Sequence, residues 1–142
     1  MERIPLFGFM YKKLHITVDR ESMKSRYTTM IRSAEAIDQG KSLMIIPEGG
    51  ILSKDVPIMH RFKDGAFRIA IEKQIPIVPV TIPNNWIILP DNSLLPKLRL
   101  LKVIFHQPIK TDGMTLQNVD NLKQQTYDII DAELKRHFNE DR

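Results

Sequence analysis

Ser42-Leu43-Met44-Ile45-Ile46-Pro47-Glu48-Gly49-Gly50 decides how the rest of the chain is read. A short apolar run closed by a proline, an acid and two glycines has the composition of a strand covered on both faces by helices, as in a parallel sheet. The carboxyl end of such a strand lies at the edge of an open α/β sheet where ligands bind. Two successive glycines can take positive φ and turn their N–H groups towards one point, a concavity suited to an anion such as phosphate. They can equally form a plain turn, since Pro and Gly are the usual turn residues.

On the carboxyl side, Ile51 to Arg61 mixes apolar, polar and proline residues without a period and reads as an ordered loop. Phe62, Ala66, Ile69, Ala70 and Lys73 then share one helical face, which predicts a helix from about Lys63 to Lys73. Ile75 to Ile82 follows as a second strand; Pro79 cannot donate to a ladder, so this strand should lie at an edge or carry a bulge. On the amino side, Leu14 to Val18 alternates like a short strand closing on Asp19-Arg20. Ser22 is a good N-cap for a helix marked by Met23, Tyr27, Met30, Ile31, Ala34 and Ile37, which Gly40 stops.

These alternations give consecutive, right-handed βαβ units: an α/β fold with a mostly parallel sheet and covering helices. Beyond them, Asn84 to Pro90 reads as an apolar loop or broken strand, and Leu98 to His106 as a further strand. A cover helix runs roughly from Leu116 to Phe138, with Val119, Leu122, Thr126, Ile129, Ile130, Leu134 and Phe138 on one stripe and Lys, Gln, Asp and Glu on its outer face. With no repeat, low-complexity segment or linker, residues 1–142 are read as a single domain.

Composition narrows the function. The absence of cysteine excludes a disulfide framework, a thiolate zinc site and a Cys nucleophile. A balance of 21 Lys+Arg against 17 Asp+Glu, net +4, suits an anionic ligand or a membrane surface and falls short of a nucleic-acid footprint. Neither G-x-x-x-x-G-K-[ST] nor G-x-G-x-x-G is present, which weighs against a nucleotide-binding module. Ile4 to Tyr11 is too short, and too broken by Pro5 and Gly8, for a signal peptide, and the uncharged stretch Gln74 to Pro90 carries four prolines that would break a spanning helix.

Four blocks in register, Ile16-Thr17-Val18-Asp19-Arg20, Ile46-Pro47-Glu48-Gly49, Phe62-Lys63-Asp64-Gly65-Ala66 and Ile75-Pro76-Ile77-Val78-Pro79-Val80, resemble the 1-acyl-sn-glycerol-3-phosphate acyltransferases. The resemblance covers Ile4 to about Ile109 and implies a glycerol-3-phosphate acyltransferase-like fold, truncated at its amino end. It implies transfer of an acyl group from acyl-CoA or acyl carrier protein to the free hydroxyl of a lysophospholipid. The substrates would be a lysophospholipid and an acyl thioester, with no cofactor and no metal, and the work would be done at the cytoplasmic face of a membrane.

The family's catalytic block is Asn-His, four residues, Asp, and is expected upstream of Ile4, so no catalytic residue is assigned within the chain. His15 and Asp19 have only three residues between them. On a strand their Cα atoms would stand about 13 Å apart, out of hydrogen-bond reach. His60, His106 and His137 have no carboxylate partner suggested by the sequence and read as surface residues.

The resemblance assigns substrate binding to Arg20, Glu48, Gly49, Gly50 and Lys63, and the acyl-donor pocket to Pro79. Arg20 would clamp the acceptor's phosphate through paired, charge-assisted hydrogen bonds. The third block departs from the family pattern Glu-Gly-Thr-Arg-Ser, because Gly50-Ile51-Leu52-Ser53 follows Gly49 and the block's arginine is missing. The clamp must therefore lean on Arg20, on the Gly49 and Gly50 N–H groups, and on Lys54, Arg61 or Lys63. Glu48 is expected to orient the acceptor hydroxyl or a basic partner. The alternative function is a phospholipid-binding remnant of the same fold without catalysis. Trp86-Ile87-Ile88-Leu89 either anchors the chain in a membrane beside basic residues such as Lys97 and Arg99, or fills core space.

Overall fold

A computed structural model of the chain describes residues 23–49, 58–88, 95 and 97–140. The expected strand Leu14 to Val18, Arg20, Gly50, most of the loop from Ile51, and Leu89-Pro90 lie outside the described residues. The chain divides into two compact units, Met1–Ile45 and Ile46–Arg142.

In the first unit, α1 spans Met23–Asp38. Its end is fixed by Gly40, which takes φ +74° while its N–H donates to the Ile37 carbonyl (2.8 Å) and Lys41 N–H donates to the Ala36 carbonyl (3.0 Å). This is the Schellman arrangement, in which glycine supplies the left-handed residue that lets the last carbonyls be satisfied. Met30, Ala34 and Ile37 are half-buried and Ser33 is buried, whereas Tyr27 and Ile31 of the expected stripe are exposed.

The second unit contains α2 (Gly65–Glu72), β1 (Val80–Thr81), α3 (Asn85–Ile88), β2 (Ile104–Phe105), a 3₁₀ turn (Leu116–Asn118) and α4 (Val119–Glu140). The 3₁₀ turn is prepared by Thr115, whose N–H donates to Asn118 Oδ1 (2.8 Å), the reciprocal half of a capping box. α2 and α4 thus fall where periodicity placed them.

The sheet does not. Among the described residues it has two strands, paired antiparallel with Val80 opposite Phe105 and Thr81 opposite Ile104, and an antiparallel bridge joins Ile77 to Ile109. The expectation of a mostly parallel sheet is met by no parallel pair among the described residues. The partner of the Ile75 to Ile82 segment is a later segment that runs back against it. The described residues of Ser42 to Pro47 form no strand, and Leu14 to Val18, expected beside them, lies outside the description. Pro79 contributes only what a proline can: its carbonyl accepts from His106 N–H (3.0 Å), and the ladder begins at the next residue. Asn85 to Ile88, expected as loop or strand, closes into a single helical turn.

The core gathers Phe62, Phe67, Ile71, Ile109, Val119 and Leu122. Phe67 and Ile71 are one turn apart on α2 and meet Val119 and Leu122 from the first turn of α4, so two amphipathic faces close on each other. Phe62 precedes α2 and stacks on Phe67 with ring centroids 6.3 Å apart. Two polar side chains tie the end of α2 to the approach to α4. Thr111 Oγ1 is buried and donates to the Ile75 carbonyl (2.9 Å), while Gln74 accepts from Gly113 N–H (2.7 Å) and donates to the Met114 carbonyl (3.1 Å).

Candidate active-site loop

The turn Ile46-Pro47-Glu48-Gly49 and the segment Ile58 to Asp64 form one junction, joined by three contacts. Glu48 Oε2 accepts a hydrogen bond from His60 N–H (2.9 Å), and Lys63 N–H donates to the Pro47 carbonyl (2.8 Å). Gly49 takes φ +74°, and a Cβ there would lie 3.5 Å from Lys63 Cγ and 3.8 Å from its Cε. The lysine stem therefore runs over the glycine, which brings a carboxylate and an exposed ammonium to the same turn. Lys63 and Arg61 form no ion pair among the described residues.

Three of the residues expected to bind substrate, Glu48, Gly49 and Lys63, are thus brought together. Gly49 does so differently from expectation. Its N–H donates to the Ile46 carbonyl (3.2 Å), closing the turn, so it is not free to face an anion. What the glycine supplies is the left-handed backbone. Gly49→Ala would keep ordinary contact with Lys63 yet force a side chain into that region, and is expected to cost about 1–2 kcal/mol, read from the shift in denaturant midpoint. Arg20 and Gly50 lie outside the described residues. Pro79 is buried at the foot of the β pair, a different local structure from the turn.

The junction is gripped from its other side by α4. Lys123, only 8% exposed, places Nζ 2.7 Å from Asp64 Oδ1 and 2.6 Å from Asp120 Oδ1. Asp64 is the N-cap of α2 but makes no side-chain cap bond, its carboxylate being turned to Lys123 instead. Hydrogen bonds to Asp120 and then Asp64 hold the Lys123 ammonium above the usual lysine range, against the opposing pull of burial. One turn on, Tyr127 OH donates to the Met59 carbonyl (3.1 Å) and the ring stands edge-on to Phe62 at 5.2 Å. Burial, followed by the charge of Asp131, pushes the Tyr127 phenol above its ordinary value. Arg61, Phe62, Asp120, Lys123, Gln124 and Tyr127 line an open hollow of about 400 Å³.

Lys123 was expected on the solvated outer face of the last helix; instead it is buried. A lysine beside Leu122 and four residues before an aromatic was the available signal. The histidines also divide. His60 is exposed and serves through its backbone. His106 Nε2 is hydrogen-bonded to Thr81 Oγ1 (2.8 Å), and His137 is buried with Nε2 3.1 Å from Glu133 Oε1, contrary to its reading as a surface residue without a carboxylate partner. Among the described residues no group of three or more His, Cys, Asp or Glu could hold a metal, and no helix is long and apolar enough to cross a membrane.

Residues 1–83 match the family described as Acyltransferase. The chain is 30% identical to the 1-acyl-sn-glycerol-3-phosphate acyltransferase of Haemophilus influenzae, covering 92% of this chain and 54% of that protein. It is 30% identical to the protein of the same name from Cocos nucifera, covering 82% of this chain and 38% of that one. With the Saccharomyces cerevisiae protein of that name the figures are 27% identity, 95% and 45%. The chain therefore spans about half the length of these curated relatives, or less. No solved structure matches it at a significant level.

Proposed function

Because the chain belongs to the acyltransferase family, we propose that it carries the acceptor-binding half of an enzyme that moves a fatty acyl group from acyl-CoA or acyl-acyl carrier protein to the free hydroxyl of a 1-acylglycerol-3-phosphate. The observation that carries this is the junction of Glu48, Gly49 and Lys63. An ammonium lying over a glycine turn offers a point charge to the acceptor's phosphate. Glu48, held at one oxygen by His60 N–H, keeps its other oxygen for the acceptor's hydroxyl. A histidine from an upstream Asn-His-x4-Asp block takes the hydroxyl proton as the oxygen attacks the thioester carbon. The new C–O bond forms, the C–S bond breaks, and the proton passes to the departing thiolate. Pro79 walls the acyl donor, and the family's fold supplies the parallel strands that complete the sheet.

The acceptor comes from a bilayer, at its cytoplasmic face. Support for a membrane-facing surface comes less from Trp86, Ile87 and Ile88, which are half-buried, than from the strip that follows. There Lys97, Arg99 and Lys102 alternate with exposed Leu98, Leu100 and Leu101, a mixture suited to anionic headgroups. Lys97 N–H donates to the Ile88 carbonyl (2.7 Å) and fixes this strip to α3.

Acyl transfer by the protein, followed by mass spectrometry, tests the proposal with lysophosphatidic acid and the phosphate-free 1-monoacylglycerol presented in the same vesicles. Lys63→Ala should raise the KM for lysophosphatidic acid about tenfold, the loss of one charge-assisted contact, and leave the thioester KM unchanged. Equal use of the two acceptors, or an equal effect on both KM values, would rule out Lys63 as the phosphate contact.

A further inference from the structure

We propose that Lys123 and Tyr127, on the helix beyond the family-matched residues, are positioning residues that hold the segment from Met59 to Asp64 so that it can present Glu48 and Lys63. Their place in acceptor binding rests on the function proposed above; their hold on the segment does not.

Contacts of the segment alternate between two neighbours. Met59 (through its carbonyl), Phe62 (through its ring) and Asp64 (through its carboxylate) face α4, where Tyr127 and Lys123 receive them. His60 and Lys63 lie between these positions and donate their N–H groups to Glu48 Oε2 and the Pro47 carbonyl. A short segment without ladder bonds of its own is thus fixed at three points on one side, and what it holds is on the other. Residues four apart share a helix face, so Lys123 and Tyr127 grip the two ends together. An exposed lysine would be replaceable at little cost. Lys123 is instead buried and bridges two carboxylates, one of which belongs to the residue next to Lys63.

Amide hydrogen exchange on the intact chain tests this without requiring turnover. Lys123→Met and Tyr127→Phe should each speed exchange at the His60 and Lys63 amides about two- to tenfold, the loss of one net hydrogen bond's worth of order, while the Lys73 and Ile109 amides keep their rates. Lys123→Arg should restore the native rates. Equal acceleration at all four amides would mean that both residues act only on global stability, and no change at His60 and Lys63 would mean no hold on the segment; either overturns the proposal. Tyr127→Phe removes a single oxygen and keeps the test available should Lys123→Met fail to fold. A second arm measures binding of a short-chain, monomeric lysophosphatidic acid. If exchange responds as expected and binding does not, the positioning stands and the assignment of the junction to the acceptor fails.

Discussion

A version of the chain in which an Asn-His-x4-Asp block precedes Ile4 is expected to transfer acyl groups about 10²–10⁴ times faster than the 142 residues alone, the usual contribution of a positioned general base. No histidine of the chain has an aspartate or glutamate five positions later. The structure gives the described ones other engagements: His106 to Thr81, His137 beside Glu133, and His60 contributing its backbone to Glu48. Binding groups without a base bring the substrates together and leave the proton on the hydroxyl. Initial rates with lysophosphatidic acid and an acyl thioester measure the difference, and changing the added histidine to alanine should return the rate to that of the short chain. Comparable rates with and without the block would place the base inside the chain.

Phe67→Ala is expected to destabilise the second unit by about 3–5 kcal/mol, the range for removing a buried aromatic ring. Phe67 is 2% exposed, stacks on Phe62 and faces Leu122, itself fully buried, so the void cannot be filled from solvent and its walls belong to three separate elements. A domain of ordinary stability, about 5–15 kcal/mol, would keep only a fraction of its margin. Urea denaturation followed by far-UV circular dichroism reads the loss. A cost below 1 kcal/mol would show that the α2–α4 contact is not the centre of the core. Because Phe62 carries the ring that Tyr127 meets, the same variant should loosen the segment beside Glu48.

Helices were the legible part of the sequence. Val119, Leu122, Thr126 and Leu134 recur at helical spacing and are buried, and Gly40 ends α1 by the left-handed backbone that glycine favours. Strand pairing was not legible, because an apolar run specifies a strand and its faces but not its neighbour. Ile75 to Ile82 could pair with an earlier segment or a later one, and Ile77 opposite Ile109 is a choice made 32 residues away. Within the site, the meeting of Glu48, Gly49 and Lys63 followed from blocks in register. The use of the Gly49 N–H within its own turn did not, since two glycines are compatible with both outcomes. The role of Lys123 was hidden for a different reason: periodicity sorts side chains by polarity, and a lysine whose charge is neutralised by Asp64 and Asp120 breaks that sorting.

The core described above has a temporal side. Its members run from Phe62 to Leu122, and Phe62, Phe67 and Ile71 have no complete hydrophobic partner until Val119 and Leu122 exist. During synthesis the ribosome releases these residues in order, so the two phenylalanines emerge and wait, exposed, while roughly fifty more residues are added. Closing a loop of that length carries an entropic cost that grows only slowly with length, so the wait, more than the closure itself, is the hazard. Exposed aromatic surface in a nascent chain invites association with other chains or with chaperones. The last helix is therefore a folding checkpoint: a message cut short before Leu122 would yield a product with the junction of Glu48, Gly49 and Lys63 written into the sequence and nothing to assemble it against.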